Sequence, residues 1–217
     1  MNHLKKLLFC CTFVALTATA VFAQEAKNAL LIANGDYPDE IGDLPRPIPE
    51  AEELKAALKS IGFKVTLVKD ADRETMEEAL QQFKEKTEKA GGIAFLHYGG
   101  HAVQVNAIQV DGINYLIPTR TNIKNESKVR SRGIKLDEIM ESMSGEANIV
   151  VLDSCRDNPF KNSRGGGERG LAAVNKVPPK SIIIYSAGSG EKAKDGVFTP
   201  ILIKKIIQPD KTIEKVF

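Results

Sequence analysis

The 217-residue chain carries nearly balanced charge, with 30 basic and 28 acidic residues, and 42% of its residues are hydrophobic. A nucleic-acid-binding protein would be expected to have a net basic surface, so this balance argues against nucleic acid as a partner. A chain of this length and apolar content suits one domain with a full hydrophobic core.

The first 23 residues have the three-part pattern of a secretory signal. Lys5 and Lys6 precede an apolar stretch from residue 7 to about residue 16, and mostly small side chains follow as far as Val21-Phe22-Ala23. This pattern predicts a signal peptide at residues 1–23 and export, either to the periplasm or out of the cell. Residues 24–217 then contain 28 basic and 28 acidic side chains. No other apolar run approaches the roughly 18 residues of a membrane span.

Hydrophobic periodicity predicts strands that alternate with helices along the rest of the chain. The predicted strands cover residues 28–33, 63–68, 93–98, 147–153 and 181–187, and the predicted helices cover residues 49–61, 73–90, 136–143 and 198–207. A small hairpin is expected within residues 103–118, where Asp-Gly marks a turn. This alternation indicates an α/β fold with a mostly parallel central sheet and helices on both faces.

Residues 161–180 include the one stretch with the composition of a linker. Arg164 and Arg169 stand there beside a run of glycines, and residues 156–180 carry six basic and two acidic side chains. On composition alone, a flexible and solvated loop is the favoured interpretation.

Cys155 is the only cysteine outside the predicted signal, and it follows an apolar run as part of Asp153-Ser154-Cys155-Arg156-Asp157. A lone thiol cannot form an internal disulfide, and a packing cysteine is not expected among such polar neighbours. His101 also follows an apolar run. Because α/β sheets place their sites at the carboxyl ends of parallel strands, Cys155 and His101 form a candidate nucleophile and base. The alternative is an inert thiol and a loop histidine with an ordinary structural role.

His97 and His101 lie four residues apart, a spacing that also occurs in zinc sites. The two glycines between them oppose a helix, and no glutamate follows His97 as the His-Glu-x-x-His motif requires. The sequence therefore predicts no metal and no cofactor at this position.

An ordered series of motifs runs through residues 30–37, 44–47, 58–63, 98–104, 153–160, 169–172 and 185–198. Together these motifs resemble the caspase-like cysteine peptidases, in particular the bacterial metacaspase-like (orthocaspase) branch, over about residues 27–207. His101 precedes Cys155 by 54 residues, close to the separation of about 50 noted for caspases. The resemblance implies a caspase-haemoglobinase fold and a Cys-His dyad, with Cys155 as nucleophile and His101 as general acid and base. It also implies an oxyanion held by the backbone N–H groups of Cys155 and of a glycine-turn residue beside His101.

The resemblance further implies a substrate preference. This branch places a carboxylate two residues before the nucleophile, here Asp153, where it would select a polypeptide with Arg or Lys before the scissile bond. Relatives carry a second pocket aspartate where this chain has Glu50, which keeps the charge and adds a methylene. An ordinary first-turn acid favoured by the helix dipole is an equally weighted interpretation of Glu50. The remaining residues expected at the substrate site are Ala102, Ser186 and Asp195.

Departures from the family leave room for a second hypothesis. Ala102 replaces the glycine that usually follows the catalytic histidine, and a short polar insertion after Gly196 is missing. Only residues 211–217 could supply the last strand of the sheet, so either the chain is a fragment or the sheet is incomplete. The alternative function is therefore a catalytically weak domain that binds peptides or partner proteins by strand addition.

By the same resemblance, the chain after the signal divides into a large-subunit part at 24–160, a linker at 161–180 and a small-subunit part at 181–217. An arginine-preferring pocket beside a loop that contains Arg164 and Arg169 predicts self-cleavage after one of these residues. A calcium requirement, the state of assembly and the physiological substrate stay open.

Overall fold

The computed structural model describes residues 25–105, 112–155, 177–186 and 196–208, and it describes Cys155 by its backbone alone. In these residues the strands are β1 (Lys27–Ala33), β2 (Lys64–Lys69), β3 (Ile93–Val105), β4 (Ile113–Leu116), β5 (Ile134–Lys135), β6 (Ala147–Cys155) and β7 (Ser181–Tyr185). The helices are α1 (Pro47–Ser60), α2 (Arg73–Ala90), α3 (Glu126–Arg132), α4 (Leu136–Glu141) and α5 (Phe198–Ile206). The predicted signal, residues 161–176 of the predicted linker and residues 211–217 lie outside the described residues.

Five strands form a parallel sheet in the order β2, β1, β3, β6 and β7. The short strands β4 and β5 extend the end of β3 in antiparallel fashion. Strands β6 and β7, which flank the predicted linker, are direct neighbours in this sheet. The prediction of a mostly parallel α/β sheet is therefore confirmed.

Helices cover both faces of the sheet, because the side chains of each strand alternate between two hydrophobic clusters. On one face, α2 and α4 pack against the sheet through Met76, Leu80, Phe83, Leu136, Ile139 and Met140. On the other face, α1 and α5 do so through Leu54, Leu58 and Leu202. In the part of the chain that the structure describes, no helix is long and apolar enough to cross a membrane.

The predicted end of the third strand near Tyr98 is wrong, because β3 continues to Val105. The strand changes partners on the way: it pairs in parallel with β6 as far as His101 and then antiparallel with β4. The glycines are therefore not a turn. At Gly100, an added Cβ would lie 2.6 Å from the Tyr37 hydroxyl oxygen and 2.7 Å from that of Tyr98. Glycine is required there because two tyrosine side chains approach the backbone closely.

Candidate active site

Strands β3 and β6 bring the two predicted dyad residues together. His101 and Cys155 are direct partners in the parallel register, at the last paired position of the two strands. Backbones of neighbouring strands lie about 4.8 Å apart, so two residues 54 positions apart in the sequence become neighbours in the fold. The structure therefore assembles the predicted pair at the carboxyl end of the parallel sheet, where α/β folds place their sites.

One hydrogen bond determines which ring nitrogen of His101 can act as a base. Nε2 of His101 lies 2.8 Å from the carbonyl oxygen of Gly42. Because a carbonyl oxygen can only accept, Nε2 carries the hydrogen and donates it. In the neutral ring, the basic lone pair then lies on Nδ1. The ring also packs edge-on against Tyr37, with centroids 4.6 Å apart and an interplanar angle of 65°.

The backbone of His101 is held from both sides by buried groups. Its N–H donates to the hydroxyl oxygen of Tyr37 at 3.0 Å. Its carbonyl oxygen accepts from the hydroxyl of Tyr98 at 2.8 Å and from the N–H of Ile117 at 2.9 Å. Burial raises the pKa of both tyrosines well above the ordinary value of 10, so both hydroxyls keep their hydrogens. His101 is thus positioned by buried, protonated neighbours.

Asp153 lies two residues before Cys155, and its carboxylate contacts α5. Oδ2 of Asp153 accepts a hydrogen bond from the Thr199 hydroxyl at 2.6 Å. The same hydroxyl lies 3.2 Å from Nε2 of His97. Thr199 and His97 are buried, whereas Asp153 is only partly buried. The aspartate therefore combines access to solvent with a fixed, buried support.

His97 does not add a positive charge to this cluster near neutral pH. Burial lowers the pKa of His97 from its ordinary value of 6.5 to about 4, and the neighbouring Asp153 charge opposes this shift only in part. The imidazole is therefore neutral at pH 7, so His97 itself does not offset the charge of Asp153. Among the described residues, no group of three or more His, Cys, Asp or Glu side chains is arranged to hold a metal ion.

Glu50 lies in the first turn of α1, as expected, and its carboxylate is 3.7 Å from the guanidinium of Arg46. The Arg46 side chain is 52% exposed, so solvent screens this ion pair and it contributes little to stability. The Arg46 guanidinium lies directly against Gly196, where an added Cβ would overlap it. Since Gly196 lies just before α5, the starts of α1 and α5 are neighbours, and α5 contacts Asp153 through Thr199. This placement is compatible with both interpretations of Glu50.

The remaining predicted site residues have mixed outcomes. Ala102 lies in extended β3 and not in a turn, so an alanine fits the backbone there without strain. Its side chain packs in the core, so only its backbone could face a substrate. Ser186 directly follows β7, and its N–H donates to the carbonyl oxygen of Leu152 at 3.0 Å. The predicted pocket residue Asp195 and the predicted cleavage sites Arg164 and Arg169 lie outside the described residues.

The supporting residues of the site, namely Gly42, Tyr37, Tyr98 and Thr199, were not predicted. The Gly42 carbonyl is 59 residues from His101, and Thr199 is 102 residues from His97. Hydrophobic periodicity carries no signal for such distant hydrogen bonds. The strand register, the loop between β1 and α1, and the docking of α5 bring these groups together.

Comparison with known proteins agrees with the fold. No curated protein gives a significant match to the chain. A family model described as "Caspase domain" matches residues 26–217 and so includes both His101 and Cys155. The chain therefore belongs to the caspase domain family, a family of cysteine peptidases.

Proposed function

We propose that the protein is a cysteine endopeptidase that cleaves polypeptides after Arg or Lys, with Cys155 as nucleophile and His101 as general acid and base. One observation carries this proposal: His101 and Cys155 are register partners at the carboxyl ends of two neighbouring parallel strands. Family membership supports peptidase chemistry in general. The dyad and the basic preference are supported by the residues at this edge of the sheet.

In this reaction one imidazole takes up a proton and gives it away twice. Nδ1 of His101 takes the thiol proton of Cys155, and the thiolate attacks the scissile carbonyl carbon. The imidazolium then gives the proton to the departing amine as the C–N bond breaks, which leaves a thioester on Cys155. Water hydrolyses the thioester, with His101 again taking a proton and returning it to the thiolate. The Gly42 carbonyl keeps Nε2–H in place throughout and thereby keeps Nδ1 available.

A basic preference follows from the charges near Asp153. This carboxylate is partly exposed two residues before the nucleophile, and its buried neighbour His97 is neutral at pH 7. A carboxylate in such a place binds a guanidinium or an ammonium by charge-assisted hydrogen bonds. Glu50 would add a second negative charge. This acidic pocket, together with the motif series, supports assignment to the metacaspase-like branch, and the pattern of residues 1–23 supports export.

The Asp153→Asn variant tests the pocket separately from the dyad. Loss of one charge-assisted contact is expected to lower kcat/KM for an arginyl peptide by roughly ten- to two-hundred-fold, while iodoacetamide alkylates Cys155 at the parent rate. Asp137→Asn makes the same charge change at an exposed position of α4, on the opposite face of the sheet, and should leave both rates unchanged. An Asp153→Asn protein that cleaves arginyl peptides at the parent rate would place the pocket elsewhere.

We also propose self-processing within residues 161–180. An arginine-preferring enzyme carries its own substrate there, and Arg164 and Arg169 are the favoured sites because guanidinium suits paired carboxylates better than the ammonium of Lys161 or Lys176. Intact-mass analysis over time is expected to show this cleavage in the parent and not in Cys155→Ala. Both fragments should stay associated, since β6 and β7 pair along five register positions. Equal cleavage of both proteins would indicate a contaminating protease instead.

A further inference from the structure

Thr199 connects three elements of the site through buried polar contacts. Its hydroxyl lies 2.6 Å from Oδ2 of Asp153 on β6 and 3.2 Å from Nε2 of His97 on β3. Thr199 itself lies in the first turn of α5 and is 0% exposed, and His97 is 1% exposed. Bulk water therefore does not reach the Thr199 hydroxyl or His97.

The direction of both hydrogen bonds follows from counting hydrogens. A threonine hydroxyl has one hydrogen, which it donates to the Asp153 carboxylate. The hydroxyl oxygen can then only accept from His97, so Nε2 of His97 carries the hydrogen. A neutral imidazole with Nε2–H meets this requirement, and burial keeps His97 neutral. The chain of donors thus runs one way, from His97 through Thr199 to Asp153.

We propose that Thr199 and His97 are positioning residues that fix the plane of the Asp153 carboxylate, and that this orientation makes the pocket prefer arginine over lysine. The inference rests on the proposed function and deepens it. With Oδ2 tied to the start of α5, the carboxylate cannot rotate freely about its bond to Cβ. A carboxylate held in one plane is ready to accept two parallel N–H bonds from a guanidinium.

Arginine and lysine depend differently on this orientation. The guanidinium is a planar fork whose paired bonds need a matching carboxylate plane, whereas the ammonium of lysine acts as a compact point charge. Loss of the Thr199 hydrogen bond should therefore weaken arginine recognition more than lysine recognition. A residue that merely packs α5 against the sheet would affect both substrates equally.

The test compares two fluorogenic peptides that differ only in Arg or Lys before the scissile bond. Thr199→Val keeps the shape and removes the hydroxyl, and Thr199→Ser keeps the hydroxyl and removes a methyl group. For Thr199→Val, kcat/KM on the arginyl peptide is expected to fall about tenfold and on the lysyl peptide about twofold, a change in the ratio of about fivefold. Thr199→Ser should keep the parent ratio, and all proteins should react with iodoacetamide at the parent rate.

A second pair of variants keeps the inference testable if Thr199→Val does not fold. His97→Phe removes the donor to Thr199 and keeps a planar ring, whereas His97→Gln retains an N–H group of similar reach. The Arg-to-Lys ratio is expected to fall in His97→Phe and to be largely kept in His97→Gln. Equal losses on both peptides, or a Thr199→Ser ratio as low as that of Thr199→Val, would overturn the positioning role alone. A parent protein that cleaves neither peptide would overturn the proposed function, and this inference with it.

Discussion

Replacing Cys155 with alanine is expected to abolish peptide hydrolysis, because the thiolate sulfur is the atom that forms the thioester. Residual activity should be below about one per cent of the parent. The melting temperature should change little, since Cys155 is the last residue of β6 and lies at the carboxyl end of the parallel sheet. The measurement is kcat/KM on an arginyl peptide together with a thermal melt.

Ser154→Ala is the matched control for this variant. Ser154 directly precedes the nucleophile and is 1% exposed, and its hydroxyl has no hydrogen-bond partner among the described residues. Its removal costs no hydrogen bond to the described part of the chain and should leave hydrolysis near the parent rate. Activity well above one per cent in Cys155→Ala, with Ser154→Ala active, would contradict the assignment of the nucleophile.

The second large effect is expected for His101→Gln. Glutamine can place an amide N–H near the Gly42 carbonyl, so it retains this contact but lacks a basic nitrogen. Loss of the general acid and base should lower kcat/KM by about 10² to 10⁴. Alkylation of Cys155 at pH 7 should also slow, because the thiol then lacks the group that takes its proton. Asp153→Asn, by contrast, is expected to alkylate normally.

The comparison of these two variants separates the dyad from the pocket. His101→Gln should lose activity on arginyl and lysyl peptides alike, because proton transfer is common to both. A His101→Gln protein that keeps more than about a tenth of the parent activity would assign the base to another group. Circular dichroism spectra that match the parent would establish that the variant is folded.

The amphipathic elements could be predicted from the sequence because their apolar spacing is regular. Helix α2 has Met76, Leu80 and Phe83 on one face, and Asp72 caps its start by accepting from the N–H of Thr75 at 2.9 Å. Helix α3 was missed because it is short and highly charged and buries only Val129. Its start is determined by the Asn125 side chain, which accepts a hydrogen bond from the N–H of Lys128. Such a cap adds no apolar residue to the sequence, so hydrophobic periodicity does not reveal it.

The end of β3 could not be predicted because two glycines usually mark a turn. In this fold they serve close packing instead, and Gly100 lies against the hydroxyls of Tyr37 and Tyr98. The candidate dyad could be predicted from the sequence because His101 and Cys155 each follow an apolar run. The contacts of His101 with Gly42 and of Asp153 with Thr199 could not be predicted from the sequence, because they depend on how loops and α5 pack on the finished sheet.

The most direct measurement of the central claim is hydrolysis of a fluorogenic arginyl peptide by the purified parent, before and after alkylation of Cys155. We predict clear hydrolysis of the arginyl peptide, no hydrolysis of an otherwise identical aspartyl peptide, and complete loss of activity when mass spectrometry shows one alkyl group on Cys155. A protein that binds the arginyl peptide without cleaving it, or that stays active once Cys155 is alkylated, would contradict the account.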